Sequence, residues 1–287
     1  MSAQVQSKSL LQSALLKLFR DKVSLSAIII VSIYFSIGLL TFSGLLNIEW
    51  GKEVGPSYST PSMDYLFGTD IFGRSVLLKT IKAIETAVLI GLSTSLIAIV
   101  IGTTLGLIAG YFGGIVDELI VWFYTTFSSI PWIMLLVSVA FILGKGTSSV
   151  FIALGVTSWT GLCRLVRAEV MKHKDREYVQ AASSVGASHS RKMISHILPN
   201  IFHVLIINFT QTFDSAIKAE VILSYLGLGV QGRPSWGTMI DDAKLELARG
   251  VWWQLGAATL AMFIIVLAFN ILGDALRDAL DPKLKGK

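Results

Sequence analysis

Three ionisable residues, Asp214, Lys218 and Glu220, interrupt an apolar run that begins at Ile197. Asp214 and Lys218 are four apart, the spacing at which two side chains on one helix face can pair. Ionisable groups within an apolar span are costly and usually face a bundle interior or a watery cavity. Counting from Pro199 at about 1.5 Å per residue puts Asp214 ~22 Å up a helix and Glu220 ~31 Å up. Two readings stand: these groups line a path for a polar solute, or they form an interfacial pair wetted from one side. Catalytic chemistry finds no support. Gly144-Lys145-Gly146 lacks the spacing and the following Ser or Thr of a phosphate-binding loop, and no Gly-x-Ser-x-Gly, His-Glu-x-x-His or Cys-x-x-Cys occurs. The single Cys163 excludes an internal disulfide and a multi-cysteine metal site. His173, His189, His196 and His203 show no metal-ligand spacing, so packing or loop roles are expected, with no metal and no cofactor.

The elements that must position these charges are membrane spans. The 287 residues are 53% hydrophobic and only 15% charged, with a mean hydropathy of +0.67. Soluble domains average about 25% charged residues, so lipid is the expected solvent. A span needs ~20 apolar residues, and six segments qualify. They predict an all-α membrane protein with spans at about 25–48, 86–112, 119–143, 147–163, 200–223 and 251–273. The first is too long for a cleaved signal peptide and no small-x-small site follows it. Ala98, Gly102, Gly106 and Gly110 recur every fourth residue on one helix face. They suit close helix packing, either near a transport path or within the chain's own bundle. Pro131, inside the third span, is expected to kink it, as a structural bend or as a hinge.

Lys and Arg orient such a bundle. With the N-terminus inside, fifteen of them fall on the inner side and eight on the outer. Both termini are then cytoplasmic, and so is the 164–199 loop. Residues 1–24 read as an inner amphipathic segment, with Leu10, Leu11, Ala14, Leu15, Leu18 and Phe19 on one face; a frayed extension of the first span is the alternative. The six-span body covers 25–273 and a tail covers 274–287. A basic inner loop is what topology demands, so no nucleic-acid partner is expected.

The 164–199 loop has its own pattern. Glu169 to Ala182 holds helix formers without Gly or Pro, and Tyr178, Val179, Ala182 and Val185 offer a small apolar face. Gly186 suits a tight turn. A second amphipathic segment, 188–197, leads to Pro199, which fits the first turn of a helix. A short helix with small residues, held off the bilayer, suits a groove on a soluble partner.

Glu177-Tyr-Val-Gln-Ala-Ala-Ser-Ser-Val-Gly186, followed by Leu198-Pro199, resembles the "EAA" loop of ABC-importer permeases. Gln180 stands where that pattern has its first Glu, and His196 where it has Ile. Phe67–Ser75, Tyr111–Asp117, Arg164–Arg167, Ser224–Gln231, Pro234–Gly237 and Leu272–Pro282 extend the likeness to the dipeptide/oligopeptide/nickel permease family, its second (C-type) membrane subunit in particular. Lys218 departs from the apolar residue expected before Ala219-Glu220.

That resemblance implies a type I importer permease fold in the bacterial inner membrane, with no enzymatic activity of its own. It implies a homologous second permease subunit, two ABC ATPase subunits that bind the ATP, and an extracytoplasmic substrate-binding protein. Glu177, Tyr178, Gln180, Ala181, Ala182, Gly186, Leu198 and Pro199 would grip the ATPases. Asp214, Lys218 and Glu220 remain candidates for the pathway. Peptides, nickel and other small solutes all remain open as cargo. The rivals are a membrane enzyme, which needs more catalytic groups at depth, and a passive channel, which needs no coupling loop.

Overall fold

The computed structural model describes residues 18–19 and 21–280, so the expected amphipathic segment over 1–24 lies mostly outside the described residues. Among those described there are helices and connecting loops, with two isolated backbone bridges, Glu53–Arg74 and Thr69–Ser75. The helices are α1 Lys22–Phe42, α2 Val76–Phe112, α3 Gly114–Ser129, α4 Trp132–Leu143, α5 Thr147–Thr157, α6 Thr160–His173, α7 Glu177–Ser184, α8 His189–Tyr225, α9 Trp236–Leu247 and α10 Trp253–Leu280. Five stretches are long and apolar enough to cross a membrane (α1, α2, α5 with α6, α8 and α10), and six if α3 and α4 count as one broken span.

α2 is the hub. Ser75 caps its start by accepting from the Leu78 amide, and Gly113 (φ +68°) ends it 37 residues later. α6 is its closest neighbour, for a steric reason. A Cβ on Gly102, Gly106 or Gly110 would lie 2.9 Å from Trp159 O, 2.7 Å from Cys163 O and 2.7 Å from Arg167 O. The four-residue glycine repeat therefore serves packing within the chain: it brings two helix backbones together where any side chain would hold them apart.

The third span is not merely kinked. α3 and α4 meet at 91°. Pro131 carries no N–H and pushes the residue before it out of helical geometry, and Ile130 is extended (φ −80°, ψ 131°). The expected helix over 169–182 is also interrupted. α6 stops at His173, Arg176 is extended, and α7 starts afresh at Glu177. The turn lets Val179 fold back onto α2, α6 and α8 and leaves Ala182 buried, so burial overrides local propensity. By contrast the expected segment 188–197 is continuous with the next span. A π-helical turn at Lys192–Ile197 precedes Pro199, and the Asn200 side-chain amide donates to His196 O at 2.6 Å.

Beyond residue 42 the chain makes an irregular loop to Ser75, and α9, unforeseen in the sequence, lies beside it. Together they close the end of the bundle opposite α7. A Tyr34–Trp236 edge contact and a Phe35–Phe213–Phe269 stack tie α1, α8, α9 and α10 into the main core.

Candidate functional site

α7 is held from three directions. Val179 is buried in a cluster with Leu107, Val166, Val170 and Ile197, and Ala182 is buried on the same helix. Tyr178 Oη shares a 2.8 Å hydrogen bond with His173 Nδ1 on the approach side, and burial raises the Tyr178 pKa. On the departure side Lys192 Nζ donates to Ser183 Oγ at 3.1 Å. There also Tyr111 Oη, at the end of α2, lies 2.9 Å from His189 Nδ1. Gln180 donates from Nε2 to Asp175 O at 3.0 Å, so the amide that replaces an expected carboxylate tethers the turn before α7.

The end of α7 is a glycine cap. Gly186 has φ +79°, its N–H bonds Ser183 O at 2.9 Å, and the Ala187 N–H reaches back to Ala182 O at 3.0 Å. What remains outside is Glu177, Gln180, Ala181, Ser183, Ser184, Val185 and Gly186, with Val185 85% exposed. The loop thus presents a short, shallow, partly apolar surface on a base anchored to α2, α6 and α8. Leu198 and Pro199 begin the long α-helical run of α8, with Leu198 packed against the same core cluster and Pro199 exposed.

The three charges on α8 have different surroundings. Lys218 Nζ pairs with Asp214 Oδ2 at 2.6 Å; the lysine side chain is half exposed and the aspartate is buried. Glu220 points away from that pair into the protein. Its Oε1 accepts from Ser224 Oγ and Ser235 Oγ, each at 2.6 Å, and Gly237 packs so close that a Cβ would sit 2.6 Å from Oε2. Ser235 also opens α9 through a reciprocal cap with Thr238. The Pro234-Ser-Trp-Gly237 motif therefore pins α9 to α8, and Trp236 Nε1 and Pro234 O add bonds to Thr80 O and Thr86 Oγ1 of α2.

Sequence reasoning missed two further clusters. Lys79 is buried, and its Nζ reaches Asp70 Oδ2 at 3.4 Å, Asp242 Oδ2 at 3.2 Å and Gln254 Oε1 at 3.1 Å. Asp70, in the Phe67–Ser75 motif, also takes Arg74 and two backbone amides, and although burial opposes it these partners lower its pKa. Gln254 passes the network on to Glu246, whose carboxyl burial pushes up to about 7. This cluster staples the 43–75 loop, α2, α9 and α10. At the other end Arg167 grips Asp117 with two parallel bonds of 2.5 and 2.6 Å, joining the Tyr111–Asp117 and Arg164–Arg167 motifs. Apart from Asp70 and Arg74, which are four apart, the residues that join these elements are far apart in the chain, so spacing could not have revealed the clusters. Among the described residues, no group of three or more His, Cys, Asp or Glu side chains is placed to hold a metal ion.

Comparison with known proteins follows the same motifs. The family described as "Binding-protein-dependent transport system inner membrane component" matches residues 102–286. A dipeptide transport system permease protein of Alkalihalophilus pseudofirmus is 34% identical over 96% of this chain and 90% of its own length. An oligopeptide transport system permease protein of Bacillus subtilis is 32% identical over 98% of this chain and 92% of its own. A glutathione transport system permease protein of Pectobacterium atrosepticum is 35% identical over 78% of this chain and 75% of its own length.

Proposed function

Because the chain belongs to the family of binding-protein-dependent transport system inner membrane components, we propose that it is the C-type permease subunit of an ATP-driven peptide importer. It is a multi-pass membrane protein. The observation that carries the finer reading is α7, a glycine-capped helix whose outer face is exposed and whose inner face packs, through Val179, into an apolar cluster shared with three spanning helices. In this reading one of two ATPase subunits seats on Glu177, Gln180, Ala181 and Gly186 and the other on the second permease, while Tyr178 and Ala182 hold α7 to its base and Leu198 and Pro199 carry the motion into α8. Nucleotide binds to those subunits, and this chain takes no cofactor. Movement of the α7 base rocks α2, α6 and α8 as a unit. A homologous permease forms the other half of the path, and alternating access is a rigid-body change between two states. A binding protein delivers peptide at the end closed by α9 and the 43–75 loop.

The Lys and Arg distribution orients the bundle in the bacterial inner membrane with α7 and both termini in the cytoplasm. The 164–199 segment is then the inner loop and residues 274–287 the inner tail. Asp214 and Lys218 face the path. Glu220, a third candidate by sequence, serves instead to hold α9. The test is uptake of a labelled dipeptide by proteoliposomes that contain both permeases and the ATPases, with the loaded binding protein outside. ATP-dependent uptake that disappears when this chain is left out supports the reading; undiminished uptake without it refutes the role.

Topology is checked separately. In a Cys163→Ala background, cysteines at the exposed Ser57 and Gln231 should react with an impermeant thiol reagent outside outer-membrane-permeabilised cells, whereas one at Ser190 should not. The inverse labelling pattern would overturn the orientation.

A further inference from the structure

α8 turns a polar ridge outward at membrane depth. Gln211, Ser215 and Lys218 are exposed at helical spacing, in a helix whose other faces are packed. A crevice flanks the ridge on either side. One, about 360 Å³, is walled by Trp132, Thr157, Ser158, Thr160, Asn208 and Thr212. It lies where the α3–α4 break and the α5–α6 break approach α8. The other, about 350 Å³, lies between α8 and α10 and is walled by Thr210, Gln211, Asp214, Ser215, Asn270 and Asp274. Lipid tails against either wall would leave the Gln211 amide and the hydroxyls of Ser158, Thr160, Thr212 and Ser215 without partners, at a penalty of roughly 1–3 kcal/mol each. The ridge therefore borders water or a polar ligand.

The second crevice has a definite chemical preference. Asp214 is only 10% exposed at its side chain, and Lys218 occupies Oδ2 alone. Its Oδ1 has no hydrogen-bond partner among the described residues, an unusual state for a buried carboxylate oxygen. Two of the nearby polar groups already donate elsewhere: Thr210 Oγ1 donates to Ile207 O at 2.8 Å and Asn270 Nδ2 to Val266 O at 2.8 Å. What these two turn to a ligand is acceptor oxygen, the Gln211 carbonyl and Ser215 hydroxyl can accept as well, and Asp274, at the inner edge of the α10 span, adds a second carboxylate. A primary ammonium, with three donors and one positive charge, matches that set.

We propose that the α8–α10 crevice is a subsite for the free ammonium group of the substrate, with Asp214 as its ion partner. The inference rests on the peptide-importer reading above. Lys218 then acts as a stand-in cation: its half-exposed side chain neutralises Asp214 between substrates and swings aside when an ammonium arrives. Exchange of one cation for another avoids leaving a buried charge bare. The uncharged crevice on the other side of the ridge suits the neutral amides of the rest of the molecule, whatever its side chains.

The test uses the assembled complex in nanodiscs, with Ser215→Cys in the Cys163→Ala background. Labelling rates are measured for a cationic aminoethyl and an anionic sulfonatoethyl methanethiosulfonate, each normalised to its rate on an exposed Ser190→Cys control. The cationic reagent is expected to react about tenfold faster. Asp214→Asn should abolish the preference and Asp214→Glu should keep it. Alanylalanine should slow labelling where N-acetyl-alanylalanine does not. No labelling at all, a preference that survives Asp214→Asn, or equal protection by both peptides would each overturn the subsite. Because labelling needs no transport, failed uptake with an intact charge preference counts against the importer reading and not against the subsite.

Discussion

Gly186→Val and Ala182→Trp are each expected to lower ATP-driven uptake at least about tenfold while the chain reaches the membrane in normal amount. At Gly186 the cause is backbone alone. A Cβ at this position would meet no atom within 4 Å, so crowding plays no part, but φ is +79°. Left-handed geometry is disfavoured by roughly 1–2 kcal/mol for an ordinary residue, and a β-branched side chain is a stronger outlier. Valine should unwind the cap that joins Ala187 to Ala182 and so release the end of α7. At Ala182 the cause is volume. The side chain is buried on the helix that Val179 anchors to α2, α6 and α8, and an indole there pushes α7 off its base. Neither change touches a spanning segment, which is why insertion is spared. Membrane abundance, co-purification with the ATPases and peptide uptake are measured together. Normal co-purification with normal uptake in both variants would exclude α7 as the point of grip.

Gly106→Leu is expected to do the reverse and remove the protein before function can be asked. A Cβ at that position would lie 2.7 Å from Cys163 O and 2.8 Å from Val166 Cβ, so α2 and α6 must separate. Overpacking of this kind destabilises by roughly 1–3 kcal/mol or more, enough to change abundance several-fold in a cell. Gly161→Leu is the matched control. It lies on the exposed side of α6, where a Cβ would meet no atom within 4 Å, and its abundance should be unchanged. Equal membrane levels of the two variants, by immunoblot, would mean that the glycine face is not what holds α2 to α6.

The parts of this architecture that were legible in the sequence are those with a local cause. Apolar length marks most of the spans, the four-residue glycine interval marks the α2 face, and Gly186 marks the end of α7. Pro131 shows where the third span must bend, but the 91° between its arms depends on what α4 packs against, chiefly α5. The break at Lys174–Arg176 is likewise tertiary: Glu169 to Ala182 are good helix formers, and only the burial of Val179 and Ala182 explains the turn. α9 was invisible because its Asp, Lys and Glu residues read as a surface loop. Its role appears once Glu220 is seen to accept from Ser235, fifteen residues on. The same holds for Lys79, whose partners Asp70, Asp242 and Gln254 are separated from it by as many as 175 residues. Asp214 and Lys218 were legible as a pair because they are one turn apart; that only one aspartate oxygen is used was not.

The central claim is that α7 is the ATPase-gripping element. The direct measurement is a cross-link from Ala181→Cys, exposed on α7, in the purified complex of both permeases and both ATPases, with Ser57→Cys at the opposite end as comparison. A photoactivatable maleimide on residue 181 should join this chain to an ATPase subunit, with a yield that changes when ATP is added. The same probe on residue 57 should reach no ATPase. If residue 181 cross-links to no ATPase in a complex that still hydrolyses ATP, or if residue 57 does so instead, the account is wrong.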